Sequence, residues 1–395
     1  MPATRAELFE EAALRLVDTY DREQRYSESR ATLSAGERLA VARRIAAAAT
    51  FSGRTTIRTE PFGSAPGQLF AAEISGQSEE EPRAGRGSGF EVKEKHVLEV
   101  LRTALFVDVG PDRVRFRHRS LAEYLAASYL ITHRIDRAQM TSLLVAPGDP
   151  EGRLIPQLRE AAAWMAAMDP AALEEVLARE PAIVLLADRL DLTDEQAEGV
   201  TAALLTPEVA ETLARWSARL ARNLRALDHP GLADALRRSL IERETPESVR
   251  RMAIIIARAC ERRDLEKELL GVALNAEEEP VLRAHAAVAL SELGSVETRC
   301  KLIPLAKAPV AGDTFRQLQG AALLAVFPDC LDLEATLAVL TEPSAGALGG
   351  SYVIFLREVL PAKIEHEDLP VALRWAAGVN ARGLQLVPAS AVAKR

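Results

Sequence analysis

The residues with the sharpest chemical potential lie between positions 113 and 123. Arg113, Arg115 and Arg117 alternate with Val114 and Phe116, so in an extended strand three guanidinium groups share one face and two apolar side chains the other. Such a stripe can contact nucleic-acid phosphates as a basic wing, or it can be a solvated face that pairs within the chain. Glu99, Asp108, Asp112 and Glu123 are close enough in sequence to neutralise it. His118, Ser120 and Glu123 are residue types of a hydrolytic triad. Neighbours one or two apart in one element seldom meet in nucleophile geometry, and no Gly-x-Ser-x-Gly elbow occurs, so that chemistry is not expected. His96, His133, His229, His285 and His366 stand singly, without His-x-x-x-His or Cys-x-x-Cys spacing, and no metal site is expected. Of these, His285 reads as a packed or rim histidine on a helix. A cradle for nucleotide phosphates needs Gly-x-x-x-x-Gly-Lys-Ser/Thr, so that backbone amides and a lysine converge on the phosphates. The string is absent, and the glycines between 85 and 89 and between 346 and 350 read as turns because no Lys-Ser/Thr follows them.

The stripe and His118 need a scaffold, and the local pattern supplies one. Val97, Leu98, Val100 and Leu101 suit a helix face. Residues 105–109 and 113–117 then flank Gly110-Pro111-Asp112 as a β-hairpin, and Leu121 to Ile131 form the next helix. Helix, hairpin, helix is the order of a winged-helix element, and this hairpin is the only β structure the pattern predicts. Upstream, residues 5–20 and 34–49 read as helices, the second opened by a capping box with Ser34 as N-cap and Glu37 three residues on. Residues 60–92, with Pro61, Gly63, Pro66, Gly67, an acidic run at 79–81 and Gly85, Gly87 and Gly89, read as a long loop or a partly disordered insertion.

Beyond residue 136 prolines recur at helix-sized intervals, as first-turn residues or breaks, and predict helical hairpins throughout. Val249, Met252, Ala253, Ile256, Ala257 and Cys260 make an apolar stripe at helical spacing. Leu282, Ala286, Ala289, Leu290 and Leu293 make another about 33 residues on, with Arg250 and Arg283 in register, and Leu318, Ala321, Ala322 and Ala325 offer a third. A helix pair of this size cannot bury its face alone, so the units are expected to stack as an α-solenoid near HEAT-repeat length. Trp164, Trp216 and Trp375 could anchor a partner, but their Ala- and Leu-rich surroundings favour core positions.

The 395-residue composition, 48% hydrophobic with only 5% aromatic, fits packed helices. The net charge of −8 is unevenly spread: the first 140 residues come to about +1 and the remainder to about −9, which argues against a dedicated nucleic-acid binder. Cys260, Cys300 and Cys330 are odd in number and far apart, and read as reduced, buried thiols with no disulfide framework. The N-terminus has no apolar signal core and no stretch approaches membrane-spanning length, so a cytoplasmic protein is expected.

Residues 101–106, Leu-Arg-Thr-Ala-Leu-Phe, and 114–127, Val-Arg-Phe-Arg-His-Arg-Ser-Leu-Ala-Glu-Tyr-Leu-Ala-Ala, resemble the segment that follows the ATPase core in NACHT proteins, members of the STAND class of signalling NTPases. There a Phe-x-His-x-Ser-Phe-Gln-Glu-Tyr/Phe-x-Ala-Ala stretch closes the winged-helix domain; this chain has Leu121 and Ala122 in place of Phe-Gln. Residues 154–164 and 368–375 are similar to the helical repeats of large bacterial NACHT proteins. The resemblance implies that His118 contacts the phosphate of ADP in the resting state, an interaction an imidazole can make as a charge-assisted hydrogen bond. The other reading of His118 is a structural histidine capping backbone groups where strand meets helix.

The expected architecture is mostly α: a helical segment at 1–59, a winged-helix-like domain at 60–135, and a HEAT-like repeat region at 136–395. The expected role is a non-catalytic, partner- or ligand-sensing module of a NACHT-type signalling protein, plausible in antiphage defence. The chain would bind no cofactor alone. ATP or ADP would belong to an ATPase half encoded nearby, this chain being a split half, a truncated gene or an excised region. The alternative is a winged-helix nucleic-acid-binding regulator that oligomerises through its helices. An enzymatic repeat protein would need a clustered acid or base that the sequence does not offer.

Overall fold

A computed structural model describes residues 5–19, 32–60, 67–80, 89–186, 191–213, 223–242, 244–341 and 349–380. The chain is mostly helical, with a small amount of sheet among residues 56–116. Its contacts cluster into two units, residues 1–200 and 201–395. This differs from the expected borders at 59/60 and 135/136. No described helix is long and apolar enough to cross a membrane.

In the first unit α1 (Arg5–Val17) precedes α2 (Ala35–Ser52). The capping box is present as expected. Ser34 Oγ accepts the Glu37 N–H at 3.1 Å and the Glu37 carboxylate accepts the Ser34 N–H at 2.7 Å, while Gly53, at φ 69°, closes the helix in the left-handed conformation. Strand β1 (Thr56–Arg58) follows, then β2 (Gln68–Phe70), the single turn α3 (Ala71–Ile74), β3 (Ser78–Glu80), β4 (Gly89–Glu91) and α4 (Glu94–Leu101). The hairpin β5 (Phe106–Gly110) and β6 (Arg113–Phe116) leads into α5 (Arg119–Thr132).

The expectation of one long loop at 60–92 is corrected here, as is that of a lone hairpin. β2, β1, β6 and β5 form one sheet in that order, with β1 parallel to β2 and antiparallel to β6, and β3 pairs with β4. Pairing of β1 with β6 also crosses the expected border at residue 59. Strands of three residues are too short to show alternation, and the surrounding Gly and Pro residues hide them. Pro61, Gly63, Pro66, Glu81, Gly85 and Gly87 lie outside the described residues.

The unit's core lies between α2 and α5, where Leu39, Ala42, Ile45 and Ala46 meet Leu121, Leu125 and Ala126, all buried. Trp164, on α7 (Arg159–Met168), is core, the reading favoured for it. It packs against Phe9 of α1 and Tyr124 of α5 with ring centroids 5.1 and 5.2 Å apart, and Arg5 lies over it at 4.7 Å. Beside α7, α8 (Pro170–Arg179) contributes Glu175, whose buried carboxylate receives Thr141 and Arg137 of α6 (Arg137–Leu144) and Arg179. Burial pushes the Glu175 carboxyl up, and those three hydrogen bonds outweigh it and hold it below the ordinary range. The next helix is α9 (Asp194–Leu204).

The second unit has no strand among its described residues. It runs through α10 (Pro207–Leu213), α11 (Leu232–Ile241), α12 (Glu247–Ala259), α13 (Glu266–Leu274), α14 (Pro280–Leu293) and α15 (Val296–Cys300). It continues with α16 (Ile303–Lys307), α17 (Gln317–Val326), α18 (Leu333–Val339), α19 (Ser351–Ile354), α20 (Leu360–Lys363) and α21 (Leu369–Asn380). Pro280 and Pro304 sit in first turns, where a missing N–H costs nothing.

The three predicted stripes are buried, except that Cys260 is partly exposed. Their register has a cause in hydrogen bonding. Arg250 donates to the Leu240 carbonyl (3.3 Å), Arg283 to that of Ala273 (3.0 Å), and Gln319 to that of Ala306 (3.1 Å). The three acceptors follow one another at 33-residue steps, each at the end of the helix before the donor. All three donors are buried, so each spends a polar side chain on a carbonyl that a helix end would leave bare. In the third of these bonds the donor comes three residues later. The extra length is taken up by Phe315 and Arg316, both left-handed, while Asp313 accepts the N–H groups of Leu318 and Gln319 at 3.0 Å each.

α17 lies so close to α19 that a Cβ at Gly320 would be 2.1 Å from the Tyr352 nitrogen. Cys300 and Cys330 form a disulfide with a Cα separation of 5.2 Å, which corrects the expectation of three reduced thiols; only Cys260 is free. The bridge joins residues 30 apart in sequence, at the end of α15 and in the segment between α17 and α18. Trp375 is half-buried, and Trp216 lies outside the described residues.

Candidate functional site

The junction of β6 and α5 gathers most of the residues singled out by their chemistry. Val114 and Phe116 point inward, Phe116 against Phe106 at 4.4 Å between centroids, and Val114 faces Ile57 across the β1–β6 pair. The alternation therefore turns Arg115 and Arg117 outward. Two residues later the chain enters α5. The His118 carbonyl accepts the N–H groups of Leu121 and Ala122, both at 3.2 Å. Its imidazole is exposed, makes no capping bond and has no hydrogen-bond partner among the described residues. The capping alternative is thus met by the His118 main chain and not by its ring.

The arginines do not act as one stripe. Arg113 folds back over Gly110, its guanidinium 2.7 Å from where a Cβ there would stand. Arg117 donates to the carbonyls of Ala104 (3.1 Å) and Phe106 (3.3 Å). Arg115 is exposed and has no partner among the described residues. Pairing within the chain, one of the two readings of the stripe, is therefore real for Arg117, but through backbone carbonyls. None of the described ion pairs joins Glu99, Asp108, Asp112 or Glu123 to these three arginines. Glu99 sits 3.6 Å from Arg38, and Glu123 accepts from Arg119 at 2.7 Å. Glu99 and Glu123 lie on helices α4 and α5, and Asp108 is paired across the hairpin with Val114 and not with an arginine.

Arg115 and Arg117, together with Arg119 on the first turn of α5, border a cavity of about 480 Å³. Phe116, Ala49 and Ala122 form apolar wall, and Thr50, Thr55 and Gln157 stand at its edge. Arg119 also donates to the Gln157 carbonyl at 3.3 Å. Neither His118 nor Arg113 borders this space. Such an arrangement can hold an anion beside an apolar body.

A second cluster in this unit escaped the sequence reading. Glu79 of β3 is buried, and its carboxylate receives Arg44 of α2 (3.0 Å), Tyr129 (3.1 Å) and His133 (3.1 Å) at the end of α5. Burial pushes the Glu79 carboxyl up, but the bonds from His133, Arg44 and Tyr129 outweigh it and keep it below the usual range. The same contact holds the His133 imidazole above its ordinary value, and burial with the Glu79 charge pushes the Tyr129 hydroxyl up to about 12. In the sequence Glu79 is one of three successive acidic residues in a segment read as loop; only the fold reveals that β3 turns it inward. Among the described residues no group of three His, Cys, Asp or Glu is arranged to hold a metal ion.

Comparison of the chain with protein-family models, with curated proteins and with solved structures found no match.

Proposed function

We propose that this chain is a non-catalytic regulatory module of NACHT type, in which a winged helix docks on an NTPase core supplied in trans and a HEAT-like solenoid senses a partner or ligand. The helices α2, α3 and α4 ahead of the β5–β6 hairpin, with β1 joining it through β6, support the winged helix, to which β2, on the far side of β1, and the β3–β4 pair are additions. Buried donors meeting carbonyls at 33-residue steps support stacked repeats that bury their stripes against the next unit. The observation that carries the reading is the exposed His118 ring at the start of α5, without a partner among the described residues, as is Arg115 nearby. A nucleotide presented by a partner core could take a hydrogen bond from that ring. This chain has no glycine-lysine phosphate cradle of its own, so binding of ATP or ADP falls to the core.

The reading is tested by adding the nearby-encoded ATPase half and measuring ADP affinity with wild type and with His118→Ala. Weaker ADP binding with the variant supports it, and equal affinities refute it. The alternative, a nucleic-acid reader, draws on Arg113 and Arg115, the hairpin cations without a side-chain partner among the described residues, and a salt-sensitive gel shift at low micromolar protein would favour it.

A further inference from the structure

The cavity beside Phe116 carries a chemistry that needs no partner protein. We propose that it binds a small monocarboxylic acid with an apolar body, such as an aryl acid, on this chain alone. Its volume of about 480 Å³ falls within the range of small-molecule pockets, and its wall includes Phe116, Ala49 and Ala122. This apolar surface suits a ring or alkyl group.

The cations at the edge set the charge of the ligand. Arg117 is committed to the Ala104 and Phe106 carbonyls, and Arg119 to Glu123 and the Gln157 carbonyl. Arg115 alone is uncommitted among the described residues. One free planar guanidinium matches one planar carboxylate through two parallel N–H···O bonds. Glu123, 5% exposed, is already paired with Arg119, so the preference for a planar carboxylate over a tetrahedral phosphate rests on the single free fork of Arg115. Thr50 and Thr55 leave hydroxyls at the edge for a polar substituent.

Calorimetric titration of the full chain with 1-naphthoate, 1-naphthyl phosphate, 1-naphthalenemethanol and acetate tests the proposal. Naphthoate is expected to bind with a Kd of about 1 mM or tighter, as its size allows. The alcohol and acetate, each lacking half of the ligand, are expected to bind about tenfold more weakly or worse, and the phosphate ester more weakly than naphthoate. Arg115→Gln should weaken naphthoate about tenfold or more, while the exposed control Lys307→Gln leaves it unchanged. Arg115 supports no other described group, so its variant should keep the wild-type melting curve, which is measured alongside. No binding of naphthoate, equal binding of the alcohol, tighter binding of the phosphate ester, or an unchanged affinity in Arg115→Gln would each overturn the proposal.

Discussion

His133 Nε2 lies 3.1 Å from the Glu79 carboxylate, and this contact joins β3 to the last turn of α5. The histidine value is raised in the folded state, so its contribution is complete below the ordinary value of about 6.5 and is lost as pH rises through the folded one. The Glu79 value is lowered, so its contribution is present above the ordinary carboxylate value and is lost as pH falls through the folded one. Stability attributable to this pair therefore peaks in weak acid and declines on the alkaline side. His133 is partly exposed, so the decline should be no more than about 1 kcal/mol. Melting temperatures from pH 5.5 to 8.5 should fall more for wild type than for His133→Gln; parallel curves would rule the pair out as the source.

Glu79→Ala is a harsher change, because it strands the mostly buried Arg44 guanidinium without its carboxylate. A loss of about 3–5 kcal/mol is expected in urea unfolding, well beyond that of His133→Gln.

Gly320→Ala should destabilise by about 3 kcal/mol, since the added methyl would meet the backbone of Tyr352 and not a side chain able to swing away. A urea midpoint within error of wild type would mean that α17 and α19 stand farther apart than described.

The buried donors of the repeats can be ranked. Gln319→Leu leaves the Ala306 carbonyl unpaired and should cost about 1–3 kcal/mol. Arg283→Met also bares a carbonyl, but removes a guanidinium whose charged form burial already disfavours, so its cost should be smaller. Reversal of this order in chemical denaturation would show that the Arg283 charge has a partner strong enough to offset its burial.

Thiol counting tests the cysteines. The Cys260 thiol is pushed up to about 12, by burial first and then by the Asp228 carboxylate, so it should resist a thiol reagent in the native protein. Protein purified without reductant should show no reactive thiol when folded, one when unfolded, and three when unfolded and reduced. Reduction of the Cys300–Cys330 bridge should lower stability by about 3–4 kcal/mol for a loop of this length.

Much of the helical frame was legible because its signals are local. The Ser34–Glu37 box, the Val114/Phe116 alternation and the stripe from Val249 to Ala257 are patterns within a few residues, set by the period of each element. What stayed hidden depends on the third dimension. β1 and β2 are three residues each and exist through their partners; Glu79 resembles any solvated acid until β3 turns it inward; Cys300 and Cys330 look unrelated until helix packing sets them side by side. At the candidate site the hairpin and His118 were foreseen. The cavity was not, because Ala49 and Gln157 come to it from far along the chain.

The three-residue delay between Arg283 and Gln319 has an editorial meaning for the gene. The acceptor carbonyls of Leu240, Ala273 and Ala306 keep their 33-residue spacing, while the connector before α17, with Phe315 and Arg316 left-handed, is longer and still leaves Gln319 its bond. Codons spliced in near Gly312 are therefore read out as a wider loop, whereas the same codons within α14 would throw every later unit out of step.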